Sequence, residues 1–195
     1  MKHTLSLIAL VAALPAFAQE TRQLDAHEHG VGALNIAIEG TTIAMEFHAP
    51  GADIVGFEYA AESDVDLAAV DAAIVTLGAP LELFVVPDAA ACTVTKAHAE
   101  LESEEDHDEH EEEGHDDHDE HDEDGHDEHA GEAGHTEFHA EYTLTCDNPE
   151  ALTQITFAYF AAFTNAKEVE VQIITAAGAQ AFEVMRDAPV LDLGD

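Results

Sequence analysis

Positive charge is what this sequence has least of. Five Lys and Arg stand against 43 Asp and Glu in 195 residues, for a formal net charge of −38. A surface of that sign repels phosphate backbones and anionic headgroups, which excludes nucleic-acid binding and electrostatic membrane docking. Tryptophan is absent, and the two cysteines lack Cys-x-x-Cys spacing, which argues against a dithiol redox centre. Long apolar runs are missing as well. The densest one after residue 18, Phe157 to Phe163, falls far short of the ~18–20 residues that span a bilayer. There is no His-Glu-x-x-His, no credible Ser, His and Asp grouping, and no carboxylate evidently held in a pocket that would tune it for acid–base work. The chain therefore reads as a non-enzyme.

Apolar residues make up 46% of the chain, enough for a packed core. The first 18 residues read as a secretory signal: Lys2 gives a positive start, Leu5 to Leu14 an apolar run, and Ala16-Phe17-Ala18 a small-x-small cleavage site. Residues 19–195 are then one exported domain. Once the signal is cleaved, nothing remains to insert into a membrane.

Histidine is abundant, at 14 residues, and ten of them lie between His98 and His139. Residues 102–129 hold 18 Asp and Glu, seven His, Ser103, Gly114 and Gly125, and no apolar residue. Such a stretch buries nothing to offset the entropy of ordering, so a long disordered insertion is expected. It contains a repeat: Asp106 to Asp116 (DHDEHEEEGHD) and Asp117 to Asp127 (DHDEHDEDGHD) match at nine of eleven positions. His107, His110 and His115 recur as His118, His121 and His126, and His129 opens a partial third copy. Replication slippage explains the repeat but not regular His among carboxylates. Imidazole with carboxylate is a donor set for Zn²⁺, Ni²⁺ or Cu²⁺, whereas Ca²⁺ would need no His. A bare polyanionic arm for a basic partner is the remaining alternative.

Elsewhere the patterning is that of short strands. Leu34, Ile36 and Ile38 alternate on one segment, and Ile43, Met45 and Phe47 on the next. Gly40-Thr41 fits a two-residue hairpin turn, with Ile38 opposite Ile43, Ile36 opposite Met45 and Leu34 opposite Phe47. The other face carries Asn35, Glu46 and His48. Ser63 to Leu77 reads as a helix with a stripe of Leu67, Val70, Ile74 and Leu77, capped by Ser63 and stopped by Gly78 and Pro80. Residues 81–86, 93–99, 138–145, 153–160, 169–174 and 181–185 read as strands. The fold class expected is α+β, mainly antiparallel sheet with one clear helix. The acidic insertion is then an oversized hairpin loop between two of the strands.

Cys92 and Cys146 flank that loop, one on each strand. In an exported protein this placement predicts a disulfide, against the alternative of two free thiols. With Cys92 opposite Cys146, an unbroken ladder puts His98 opposite Ala140 and turns His139 to the other side. His27 and His29, two apart, would share one side of a strand and need one or two further ligands. His48 lies on the same polar face but roughly 13 Å from His29. His48, His98 and His139 are weaker candidate ligands than His27 and His29.

Arg22-x-Leu24-x-Ala26-His27-x-His29-Gly30 resembles the N-terminal signature of the ZrgA-type periplasmic zinc-uptake proteins. Pro50 followed by Val55-Gly56-Phe57-Glu58, the acidic His-rich insertion, and Val171-Gln172-Ile173-Ile174 are similar to further segments of that family. The resemblance implies a periplasmic protein that binds zinc as cargo and assists an inner-membrane importer. It carries over His27 and His29 as metal-site residues.

Overall fold

The computed structural model describes residues 28–103 and 135–194. The signal expected over residues 1–18, His27, and the tract residues His107, His110, His115, His118, His121, His126 and His129 lie outside the described residues.

The chain opens with a hairpin of β1 (Val31–Glu39) and β2 (Thr42–Pro50). Gly40 takes the positive φ, 57°, that the turn requires. Ile38 pairs with Ile43, Ile36 with Met45 and Leu34 with Phe47. This is the register that alternation demands once one face is buried. After the single turn α1 (Gly51–Ile54) comes α2 (Asp64–Leu77). Ser63 caps α2: its Oγ accepts the Asp66 backbone N–H at 3.1 Å. Val70 and Leu77 of the expected stripe are buried and Ile74 packs against the core, Ala73 joins them, and Leu67 is 47% exposed.

The turn α3 (Pro80–Leu83) and the two-residue β3 (Phe84–Val85) replace the strand expected over 81–86. Pro80 pre-sets a helical φ at the first position of a helix, where its missing N–H costs nothing. Then come β4 (Cys92–Ser103) and β5 (Thr136–Cys146), on either side of the insertion. The last elements are β6 (Gln154–Phe157), the turn α4 (Tyr159–Ala162), β7 (Glu168–Thr175), β8 (Gly178–Met185) and β9 (Val190–Asp192). The expected strand over 153–160 thus ends at Phe157. A helical turn follows, and it buries Tyr159 and Phe160 against the core.

Six strands form one sheet in the order β4-β5-β2-β1-β7-β8, and three form a second, β3-β6-β9. Strand is the dominant structure and helices are few. The large sheet is mixed, because β7 runs parallel to β1. That corrects the mainly antiparallel expectation at one pairing: β7 arrives from β6 and α4 outside the sheet rather than through a hairpin, so nothing forces reversal.

One face of the large sheet is core. Leu34, Phe47, Phe138, Tyr142, Leu144, Val169 and Val171 are at most 2% exposed. Phe47 meets Phe84 and Tyr159 at ring-centroid distances of 5.6 and 5.1 Å. Arg186 is spent on structure. Its guanidinium donates to the carbonyls of Phe160, Phe163 and Ala166 and lies over the Phe160 ring. Cys92 and Cys146 face each other in register and are bonded. The opposite face of the sheet, where alternation puts the polar side chains, carries the candidate site.

Candidate metal centre

Strand alternation sends Glu46 and His48 of β2, and Glu137, His139 and Glu141 of β5, to the polar face. β2 pairs with β5 so that His48 lies opposite His139. Their rings stack with centroids 4.4 Å apart and planes 14° from parallel. Both Nε2 atoms turn to one carboxylate oxygen: Glu46 Oε1 is 3.5 Å from His48 Nε2 and 3.6 Å from His139 Nε2. All three donor atoms fall within 4.8 Å of one another. Two donors at the usual zinc distances on a tetrahedral ion are roughly 3.3 Å apart, close to the 3.5 and 3.6 Å that separate Glu46 Oε1 from the two imidazole nitrogens.

The outer nitrogens are also faced by carboxylates. Glu137 Oε2 lies 3.6 Å from His48 Nδ1, and Glu102 Oε1 lies 3.2 Å from His139 Nδ1. A carboxylate behind the ring fixes the tautomer and raises the basicity of the inner nitrogen, as is usual for metal-bound His. Glu137 raises the pKa of His48 above its ordinary value, with burial opposing it and Glu46 adding to it. His139 Nε2 is buried and has no hydrogen-bond partner among the described residues. An orphaned buried nitrogen costs stability unless something else uses its lone pair or proton. Two imidazoles and a carboxylate leave one tetrahedral position for water or an incoming ligand. Beside the cluster runs an open groove of about 740 Å³, lined in part by Asn35, Glu46, Lys96, Glu141 and Gln172.

β4 joins this face through an irregularity. Its ladder with β5 shifts between Val94 and Lys96, leaving Thr95 as an extra residue. His98 consequently pairs with Glu141, and Glu100 with His139, instead of His98 with Ala140. A one-residue slip exchanges the faces of every residue beyond it. His98, Glu100 and Glu102 therefore share the polar face with His139, which corrects the expected opposition of His98 and His139. His98 Nε2 contacts Glu100 Oε1 at 3.4 Å and does not reach the Glu46 cluster.

A second His and Glu cluster sits beyond the strand ends. Glu58, 14% exposed, meets His29 Nε2 at 2.9 Å through Oε1 and His135 Nδ1 at 3.1 Å through Oε2. Two segments flagged in the sequence, His-Glu-His-Gly and Gly-Phe-Glu, thus meet here. Asp53 fixes the turn: both its oxygens accept the Gly30 N–H at 2.8 Å. Burial raises the Asp53 pKa, and the Gly30 N–H opposes the rise. Gly30 has a φ of 98°, and a Cβ there would press on the Lys167 side chain. Gly51 lets its loop lie against β5, where a Cβ would collide with Thr136 Oγ1. His29 belongs to a turn, not a strand, so the argument that placed it on one side with His27 does not apply. It is not joined by His48 either, which stacks on His139 instead.

Sequence reasoning missed Glu58 and His135 as partners of His29, and Glu46, Glu102 and Glu137 as partners of the His48 and His139 pair. The period of two was readable in His135, Glu137, His139 and Glu141, which alternate with Phe138, Ala140 and Tyr142.

Two stacked imidazoles facing one carboxylate, with further carboxylates behind them, bring together the donor types that transition-metal ions take. The chain matches the model of the ZrgA family zinc uptake proteins over residues 26–193 and belongs to that family. No curated protein matches it.

Proposed function

We propose that the folded domain binds Zn²⁺ through His48 Nε2, His139 Nε2 and Glu46, as the tight site of a periplasmic zinc-capture protein. The ion is cargo: the acidic tract collects zinc at modest affinity, the sheet face holds one ion, and an inner-membrane importer receives it. The protein performs no chemistry on the metal. The observation that carries this reading is the buried His139 Nε2 without a hydrogen-bond partner, aimed with His48 Nε2 at one oxygen of Glu46. Membership in a zinc-uptake family supports zinc as the metal. The disulfide suits an oxidising compartment, and no described helix is long and apolar enough to cross a membrane.

The test is a calorimetric titration of the mature chain with Zn²⁺, beside variants lacking residues 104–129 or carrying His48→Ala with His139→Ala. One tight equivalent should survive the deletion and vanish in the double variant. Loss of all binding in the deletion would make the tract the whole site.

A further inference from the structure

His139 belongs to two groups of donors, one on each ring nitrogen. Nε2 faces Glu46 and His48. Nδ1 faces Glu102 at 3.2 Å, and Glu100, Glu102 and His139 each place one donor atom within 4.8 Å of the others. The β4 bulge is what brings Glu100 and Glu102 to this face. Exposure falls across the two groups, from 50% for the Glu100 side chain and 36% for Glu102 to 30% for Glu46, 22% for His48 and 16% for His139. The group of Glu100, Glu102 and His139 lies toward the edge strand and is mostly carboxylate. The group of Glu46, His48 and His139 lies one strand further in and is mostly imidazole.

A neutral imidazole has one free lone pair and one N–H. It cannot hold an ion at both nitrogens at once, so the two groups are alternatives and not additive sites. The proton faces a carboxylate in both cases, at hydrogen-bond distance from Glu102 and 3.6 Å from Glu46. With the ion on Nε2, Nδ1–H donates to Glu102. With the ion on Nδ1, Nε2–H faces Glu46 Oε1. Passage from one to the other moves the ring proton from Nε2 to Nδ1, with no net proton gained or lost, and Glu102 changes from ligand to hydrogen-bond acceptor. Transition-metal ions prefer a second imidazole to a second carboxylate, so the inner position is the deeper one.

Resting on the zinc reading above, we propose that the face holds one ion at two successive positions. The outer one, formed by Glu100, Glu102 and His139 Nδ1, admits zinc from the edge strand. The inner one, formed by Glu46, His48 and His139 Nε2, retains it.

The test is ¹⁵N NMR of the mature chain labelled at histidine, with His139 assigned from a His139→Gln variant and Zn²⁺ added to one equivalent beyond tract saturation. Ring-nitrogen shifts report which nitrogen carries the metal and which the proton. The wild type should show zinc on Nε2 and a proton on Nδ1. In His48→Ala the pattern should invert, with zinc on Nδ1, and adding Glu100→Gln should weaken that binding at least tenfold. Zinc on Nε2 in the wild type with no metal at His139 in His48→Ala would overturn the outer position and leave the zinc reading intact. Zinc on Nδ1 already in the wild type would overturn the order of the two positions. No metal at His139 in the wild type would overturn both readings. The backbone spectrum of each variant controls for folding.

Discussion

The two histidine and glutamate clusters use the same residue types under different support. In the sheet-face cluster, His48 and His139 are held by neighbouring ladders and stack on each other, and their Nδ1 atoms face Glu137 and Glu102. In the end cluster, His29 and His135 are 62% and 56% exposed and stand at element ends on opposite oxygens of Glu58. Donors gather within 4.8 Å in the first cluster but not in the second. The difference is one of preorganisation. The first is assembled by folding, so binding an ion orders little more. The second must draw in an exposed ring, and its two contacts to Glu58 are made by exposed imidazoles at element ends.

The sharpest break of this contrast is His139→Ala. It removes a donor shared by both groups on the face, and the tight zinc equivalent should disappear from a calorimetric titration. Glu58→Gln should leave that equivalent unchanged. A tight site that survives His139→Ala and is lost in Glu58→Gln would reverse the assignment of the two clusters.

Next in size is the disulfide, which clamps β4 to β5 across a sequence separation of 54. Cys92→Ser with Cys146→Ser should cost roughly 4 kcal/mol by the chain-entropy model, read from denaturant unfolding. The damage should fall on the face cluster, because Glu100 and Glu102 depend on the β4 register. Unfolding curves that match the wild type would remove that role.

Removing Asp53 addresses the end cluster. Asp53→Ala strips the Gly30 N–H of its buried acceptor, a loss of about 1–3 kcal/mol. Asp53→Asn keeps an acceptor oxygen and relieves a carboxylate whose ionised form burial disfavours, so it should cost less. Equal losses in the two variants would mean that the charge, not the acceptor, holds the turn.

The parts legible in the sequence were those set by local alternation. The β1 to β2 hairpin followed from two apolar rows and Gly40, and the α2 cap followed from Ser63. The pairing of β2 with β5 joins residues 48 and 139 across nearly half of the chain, and no local pattern encodes it. The bulge at Thr95 was equally silent. Neither Gly nor Pro marks it, yet it decides which face His98, Glu100 and Glu102 occupy. His29 was found by its motif, but its partner Glu58 lies in a loop whose course is set by Gly51 and Gly56. The site was therefore visible as residue types and hidden as geometry, because long-range register alone brings the donors together.

The smallest effect separates the two roles of Glu137. This carboxylate raises the His48 pKa above 6.5 and stands behind the ring as a basicity-raising partner. In zinc-free protein a raised histidine pKa contributes stability that is fully present below the unfolded value and is lost as pH rises through the folded one. Zinc needs the opposite, a deprotonated ring, so protons compete from a pH above 6.5 downward, by up to tenfold per unit for one imidazole. Glu137→Gln should weaken zinc binding at pH 8 by about tenfold, since the outer partner is gone. The same change lets His48 lose its proton at lower pH, so the deficit should shrink as pH falls toward 6. Competition titrations at pH 6, 7 and 8 would show the two affinities converging. Parallel profiles would mean that Glu137 does not govern the protonation of His48, and the contrast between a supported and an unsupported histidine cluster would then rest on ring stacking and burial alone.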